Sequence, residues 1–342
     1  MLLSALFILA CSHNMQKMNR DFNFNYTVEI EPTNGKKLEL WIPIPQSNSV
    51  QKISALEINS DGLNYSIEIE KEHGNRYLYL HQKEGTFDVK TISFTFNTSR
   101  MEHQNMNYIN VDPKSYLGSY STVSTGAQFS NIIKDNSLTK RNIRGVYDYV
   151  LSGMHYGKPK DFGDKYYNIP WLSPHGKCGN KGVSRDVVVS LYQHAKSKGG
   201  DYTFGNGNSL YACDIGVGNC TDYHSYFMSL TRTLGIPTRF HMGFQIPEGN
   251  EGTVGGYHCW ADYYVEGEGW YPVDISEADK APNKKNYFFG TVCENRVEMM
   301  VGRDFLLEGY EEETVNLFIY PLLEINDEPS TSFTKHFSYK NI

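Results

Sequence analysis

One cysteine occupies a position where a helix can activate a thiol. Cys220 follows a glycine-rich stretch that begins at Gly216. After it, apolar side chains recur at helical spacing: Tyr223, Tyr226, Phe227, Leu230 and Leu234. The pattern predicts a buried helix that begins near Cys220 and ends before Gly235 and Pro237. The start of a helix lowers the pKa of a thiol, and its free backbone N–H groups can bind an oxyanion.

A base and an acid follow downstream in a predicted β-hairpin. His258 lies in the first strand-like run and Asp274 ends the second, 16 residues later. A thiol nucleophile needs such a base, and the base needs an orienting acid. A symmetric hairpin about Gly267 and Glu268 would place Asp274 opposite Ala261. A bulge or a wider loop is therefore needed to bring Asp274 under the imidazole.

Four short sequence blocks surround these residues. In order, they are Gly218-Asn-Cys-Thr-Asp222, Leu234-Gly-Ile-Pro-Thr-Arg239, Tyr257-His-Cys-Trp-Ala-Asp262 and Gly269-Trp-Tyr-Pro-Val-Asp274. Together they resemble the bacterial transglutaminase-like domain, whose superfamily includes the papain-like cysteine peptidases. The resemblance covers residues 138–325. It implies a catalytic helix packed on an antiparallel sheet, with Cys220 as nucleophile, His258 as base and then acid, and Asp274 as orienting group.

Other side chains near this site have both a functional and a structural interpretation. His224, one helical turn after the nucleophile, is either a second base or a packing residue. Asp222 either caps the helix or contacts substrate. Tyr211 is a candidate for the aromatic or amide donor that usually completes the oxyanion hole in this superfamily. Trp260 fits the core better than a substrate contact, and Trp171 lies in a long loop that is a candidate wall of the substrate cleft.

Four further cysteines allow alternative states. Cys178, Cys213, Cys259 and Cys293 permit three disulfide pairings in an oxidising compartment, and the sequence does not choose between them. A Cys213–Cys259 link would fasten the nucleophile loop to the base strand, and four free thiols are an equal alternative. Their spacing lacks a close CxxC pair, so no zinc site is predicted. No metal or other cofactor is expected.

The first part of the chain predicts a β-sandwich. Alternating apolar and polar runs between residues 21 and 112 are separated by turn residues such as Asn34-Gly35 and Asp61-Gly62. Of the 30 glycines, 26 lie after residue 112, which indicates a domain boundary near Asp112. We expect an α+β chain with a β-sandwich at 21–112 and a transglutaminase-like domain with its C-terminal extension at 113–342.

The N-terminal segment predicts export. Residues 2–10 are almost wholly apolar and end in a small residue before Cys11, which resembles a bacterial lipoprotein processing site. Residues 1–20 would then be signal peptide and tether, with Cys11 carrying a lipid anchor in a periplasmic or outer-membrane protein. No basic residue precedes Cys11, so simple secretion and a cytoplasmic location stay open.

Composition and motif together define the expected activity. The net charge of −7 argues against nucleic-acid binding, six cysteines are too few for a disulfide scaffold, and no run of 18 apolar residues occurs. We expect acyl transfer through a thioester on a peptide or protein substrate, with cell-wall peptides among the candidates. Hydrolysis is favoured because water is always present. Glutamine cross-linking, or a non-catalytic binding protein that keeps the fold, are the alternatives.

Overall fold

The computed structural model describes residues 18–157, 185–310 and 314–342. The expectations for Cys11, Trp171 and Cys178 concern residues outside these ranges and stay predictions. The described α-helices are α1 (Ala127–Asp135), α2 (Ile143–Gly153), α3 (Arg185–Lys198), α4 (Ser209–Ile215), α5 (Cys220–Thr233) and α6 (Ile275–Lys280). Short 3-10 helices span Pro113–Tyr116 and Pro282–Lys284.

Strands form most of the remaining regular structure. They are β1 (Asn19–Ile30), β2 (Leu38–Ile44), β3 (Gln51–Asn59), β4 (Asn64–Ile69), β5 (Arg76–Gln82), β6 (Lys90–Met101), β7 (His155–Tyr156), β8 (Val217–Gly218), β9 (Thr238–Gln245), β10 (Glu251–Thr253), β11 (Tyr257–Val265), β12 (Gly269–Val273), β13 (Arg296–Val301), β14 (Leu322–Ile325), β15 (Glu328–Ser330) and β16 (Phe333–Asn341). The mixed α+β class expected from the sequence is confirmed.

Two five-stranded sheets form the predicted β-sandwich. Their strand orders are β10-β16-β1-β6-β3 and β15-β14-β2-β5-β4. On β1, every second side chain from Phe22 to Ile30 is fully buried, as the alternation in the sequence predicted. These side chains share one core with Leu40 and Ile42 of β2 and with Leu78 of β5.

The last strands of the chain complete the sandwich, which differs from the predicted division at residue 112. Strand β16 pairs with β1 along its length, from Phe22 opposite Asn341 to Ile30 opposite Phe333. Strand β14 pairs with β2 in the other sheet. The physical reason is that unpaired backbone groups at the edges of β1 and β2 need partners, and the C-terminal residues supply them. The segment that carries the four sequence blocks is therefore inserted between two parts of the sandwich.

A second layer holds the four sequence blocks around one buried helix. The antiparallel sheet β12-β11-β9-β13 packs against α5, and α1, α2, α4 and α6 also contact that helix. Every residue of α5 from Cys220 to Arg232 is buried, which fixes the helix in position. Among the described residues, no helix is both long and apolar enough to cross a membrane.

The sandwich and this second layer share a continuous core. The Phe24 ring of β1 lies 5.2 Å from the Phe244 ring of β9, centroid to centroid. Arg20 extends the contact by donating hydrogen bonds to Asn295 Oδ1 at 2.7 Å and to the carbonyl of Pro247 at 2.9 Å. The sandwich thus contacts the chain just after β9 and just before β13.

Candidate active site

Helix α5 begins at Cys220, as the sequence predicted. Asn219 is the N-cap residue, and its side-chain oxygen accepts a hydrogen bond from the Thr221 N–H at 2.9 Å. In return the Asp222 carboxylate accepts the Asn219 N–H at 3.0 Å, which completes a capping box. Cys220 is 3% exposed, so the residue at the helix start is nearly enclosed.

Asp222 caps the helix and also anchors the preceding loop. Its carboxylate accepts the backbone N–H groups of Gly205 at 2.9 Å and Gly207 at 3.1 Å. Burial raises the pKa of Asp222 to about 7, against the opposing effect of these hydrogen bonds. A Cβ at Gly218 would lie 2.6 Å from the same carboxylate, so only glycine fits there. Of the two interpretations of Asp222, the structure shows capping.

His258 and Asp274 form a buried pair. His258 Nε2 donates to Asp274 Oδ2 at 2.7 Å, which leaves Nδ1 for the thiol. Asp274 Oδ1 caps α6 by accepting the Glu277 N–H and the Ser276 hydroxyl, both at 3.0 Å. One carboxylate oxygen therefore positions the imidazole while the other fixes the carboxylate to the backbone.

The hairpin register explains how the pair meets, and it corrects the symmetric expectation. Val265 pairs with Gly269 and Ala261 with Val273, so the loop has three residues instead of two. Continued by one residue, this register places Asp274 beside Trp260, on the sheet face that also carries His258. A shift of one residue reverses the face on which a side chain lies. The wider loop thus brings the acid under the imidazole.

The charges of the site favour a thiolate and an imidazolium. Interaction with the Cys259 thiol and then with His258 lowers the pKa of Cys220 well below its usual value, although burial opposes the change. Burial also lowers the pKa of His258, but the charge of Asp274 outweighs it and raises that pKa to about 9. The lowered pKa of Cys220 and the raised pKa of His258 favour a deprotonated thiol beside a protonated imidazole, the state that a cysteine nucleophile requires.

Arg296 is a site residue whose role the sequence did not reveal. It is fully buried on β13, and its Nη2 donates to Asp274 Oδ2 at 2.7 Å, the same oxygen that binds His258. Burial would raise the pKa of Asp274, but the charges of His258 and Arg296 hold it well below its usual range. The Trp260 ring lies close to both donors to Asp274: its centroid is 6.4 Å from that of the His258 ring and 5.5 Å from the Arg296 guanidinium carbon. Trp260 is 1% exposed, so it supports the site from the core.

Tyr257 is a second residue that sequence reasoning missed. Its hydroxyl accepts from Asn219 Nδ2 at 3.3 Å and lies 3.1 Å from Thr221 Oγ1, so it contacts both neighbours of Cys220. Burial, and then the charge of Cys220, raise its pKa well above the usual value, which keeps the hydroxyl protonated. The signal in the sequence was its position directly before His258, where alternation along the strand directs it toward α5.

Tyr211 and His224 have structural surroundings. Tyr211 of α4 is fully buried among Ile215 and Val217, and it does not line the cavity that holds His258. His224 Nδ1 donates to the Cys220 carbonyl at 2.7 Å, and its Nε2 accepts the Ile275 N–H at 3.1 Å. Burial lowers the pKa of His224. With both ring nitrogens engaged, His224 connects α5 to α6 and has no nitrogen left to act as a second base.

The described cysteines are all free thiols. Cys213 and Cys259 are buried, and Cys293 is half-buried. The alternative of a Cys213–Cys259 link is therefore not realised, and Cys259 instead lies against the nucleophile and 3.7 Å from Thr221 Oγ1. Within the described part of the chain, no group of three His, Cys, Asp or Glu side chains is arranged to hold a metal ion.

A cavity of about 1040 Å³ opens on one side of the pair. Tyr257, His258 and Arg296 contribute to its lining, together with residues of α6 and of the segment before β13. None of its lining residues, in the part of the chain described, comes from α5. The cavity therefore approaches the imidazole and not the sulfur.

Known proteins resemble this chain in sequence and in fold. The family model of the transglutaminase-like superfamily matches residues 183–275, which include Cys220, His258 and Asp274. An uncharacterized protein of Haemophilus influenzae is 25% identical over 373 aligned positions, covering 95% of this chain and 92% of that protein. The crystal structure of a candidate cysteine protease from Cytophaga hutchinsonii covers 96% of this chain and 93% of its own, at 12% identity and a TM-score of 0.56. At that identity the structural likeness concerns the fold alone. Residues 183–275 therefore match the transglutaminase-like superfamily, the resemblance that the sequence blocks predicted.

Proposed function

We propose that this protein hydrolyses an amide bond of a peptide or of a glutamine side chain through a thioester on Cys220. The observation that carries the proposal is the buried 2.7 Å hydrogen bond between His258 and Asp274, next to a thiol at a helix start. Its electrostatic consequence is a thiolate–imidazolium pair. The transglutaminase-like domain and its fold neighbour support cysteine-dependent acyl transfer as the general class.

The first half-reaction forms the thioester. The Cys220 thiolate attacks the amide carbonyl carbon, and the carbonyl oxygen becomes an oxyanion. No described residue accepts the backbone N–H of Cys220, so this group is free to bind the oxyanion at the positive end of α5. The hydroxyl of Tyr257, held by Asn219 and Thr221, is the second donor. His258 then gives its proton to the leaving nitrogen, and the carbon–nitrogen bond breaks.

The second half-reaction releases the acid. Neutral His258 takes a proton from water, the water oxygen bonds to the thioester carbon, and the carbon–sulfur bond breaks. The thiolate and imidazolium are regenerated without any further group. Asp274 keeps the imidazole oriented in both halves because its other oxygen is fixed by α6. An amine in place of water would give a cross-linked or transamidated product.

Thiol labelling tests the nucleophile. We expect iodoacetamide to alkylate Cys220 rapidly well below pH 8.5, the ordinary pKa of a free thiol. The His258→Ala variant should lose this acid reactivity, and Cys220→Ala identifies the labelled residue by mass spectrometry. Labelling no faster than that of an unstructured thiol would refute the proposal.

Product analysis tests the reaction. Glutamine-bearing and cell-wall peptides are incubated in ¹⁸O-labelled water, with and without an added primary amine. Hydrolysis predicts an acid product that carries the label and a thioester trapped on Cys220. If amine-linked product dominates when the amine is present, the protein is a transglutaminase instead.

A further inference from the structure

The cavity beside His258 is lined by several carboxylates. Four glutamates line it: Glu102, Glu248, Glu277 and Glu294. Of the lining cations, Lys280 is paired with Glu277, and Arg296 shares Asp274 with the imidazolium of His258. Three carboxylates therefore remain against Lys284 and the one positive charge that Asp274 leaves unbalanced. A cavity of this kind attracts a positively charged ligand group.

Glu294 is the carboxylate in this set that is both buried and incompletely bonded. It is 8% exposed, and its Oε1 accepts from Asn295 Nδ2 at 3.1 Å. Its Oε2 is also buried and accepts no hydrogen bond from any described residue. Glu102, by contrast, receives the Tyr287 hydroxyl at 2.7 Å. A buried carboxylate oxygen without a donor is costly, which points to a donor supplied by a ligand.

The position of the cavity identifies the half of the substrate that enters it. His258 protonates the leaving nitrogen and later deprotonates the attacking group, so the amine half must lie against the imidazole. The cavity reaches His258, whereas none of its described lining residues belongs to the nucleophile helix. The amine half, and not the acyl half, is therefore the part that meets Glu294.

We propose that this cavity binds the amine half of the substrate, and that Glu294 pairs with a second, protonated amino group on it. The preferred amines are thus diamino compounds of the lysine type. This inference rests on the proposed thioester chemistry. It applies to the leaving amine in hydrolysis and equally to an acceptor amine, because both occupy the same side of the thioester.

An acyl-partition assay on the full chain tests the site without knowledge of the natural acyl group. p-Nitrophenyl acetate acetylates Cys220 and releases p-nitrophenolate. Water or an added amine then attacks the thioester carbon, the carbon–sulfur bond breaks, and His258 takes the proton. The two amines compared are lysinamide and norleucinamide, which differ chiefly in the terminal ammonium group. Mass spectrometry measures the ratio of acetylated amine to acetate.

We expect transfer to lysinamide to exceed transfer to norleucinamide by about tenfold or more, as for a well-placed buried charge pair. The acetyl group should be on the α-nitrogen, because the terminal ammonium is held by Glu294. Glu294→Gln should bring the two amines to similar ratios. The matched control Glu266→Gln, which removes an exposed charge in the β11–β12 loop, should keep the preference.

Three results would overturn the amine site. They are equal transfer to both amines in the unmodified protein, acetylation mainly at the terminal nitrogen, and a preference that persists undiminished in Glu294→Gln. If Glu294→Gln does not fold, the first two results still test the amine site, because both are measured on the unmodified protein.

A failure of the proposed function is recognised separately, because Cys220 is then not acetylated. In that case, calorimetric titration of lysinamide and norleucinamide into the Cys220→Ser variant tests whether the cavity binds the amine. Tighter binding of lysinamide supports the site, and equal or absent binding refutes it.

Discussion

Replacing Arg296 with an uncharged residue separates its electrostatic role from a purely structural one. Arg296 and His258 both donate to Asp274 Oδ2 at 2.7 Å, so their nitrogens are at most about 5.4 Å apart, twice that bond length. At an effective dielectric constant of about 20, two positive charges at this distance repel by about 3 kcal/mol. This repulsion lowers the pKa of His258 by about 2 units relative to a site without Arg296.

The Arg296→Met variant should therefore raise the pKa of His258 from about 9 toward higher pH. His258 must be protonated to release the leaving amine, so activity falls as pH rises through that pKa. The alkaline limb of the acylation pH profile should move up by about two pH units. Arg296→Lys keeps the charge and should leave the limb in place. Removing one member of a buried ion pair also costs about 3–5 kcal/mol of folding stability.

The assay is the pH dependence of kcat/KM for p-nitroaniline release from a p-nitroanilide of a substrate peptide, whose leaving nitrogen requires a proton. Thermal unfolding at each pH restricts the comparison to conditions in which both variants are folded. An alkaline limb that is identical in Arg296→Met and the unmodified protein would refute the electrostatic argument. An equal shift in Arg296→Lys would show that packing, and not charge, sets the pKa of His258.

Three further variants test other contacts of the nucleophile. Tyr257→Phe should slow acylation about 10²–10³-fold while iodoacetamide labelling is unchanged, since alkylation forms no oxyanion; an unchanged acylation rate would exclude Tyr257 as a donor. Cys259→Ala should shift the acid limb of Cys220 labelling to higher pH, because Cys259 is the largest influence lowering that pKa; a shift to lower pH would contradict this. His224→Ala should lower unfolding free energy by about 1–3 kcal/mol through two lost hydrogen bonds, yet keep rapid acid labelling; loss of labelling in folded protein would restore His224 as a base.

Local patterns were sufficient for the helix that carries the nucleophile. The start at Cys220 follows from a polar N-cap, and the end follows from Gly235 and Pro237, all within one stretch of chain. The types and order of the catalytic residues were equally visible. Whether His258 and Asp274 meet was not, because one residue in the hairpin loop decides the face on which Asp274 lies.

Contacts between residues far apart in the sequence could not be predicted from local patterns. Arg296 lies 22 residues after Asp274 on a strand that reaches the site only through the pairing of β13 with β9. Strand β3 has no regular alternation for a local pattern to detect, since it is an edge strand with mostly exposed side chains and a bulge between Ser54 and Glu57. The contribution of β16 to the sandwich depends on a pairing with β1 that no sequence period encodes.

The pairing of β1 with β16 determines the order in which the molecule can assemble. Phe22 pairs with Asn341, so β1, which lies inside its sheet, gains its second neighbour β16 only after residues 333–341 have been synthesised. During synthesis, β1 can pair with β6 early while its other edge stays open. Contacts of such sequence separation close slowly and leave the open edge exposed to other chains. Deletion of the last nine residues should therefore make newly synthesised chains aggregate, even though the deletion leaves the active-site residues in place.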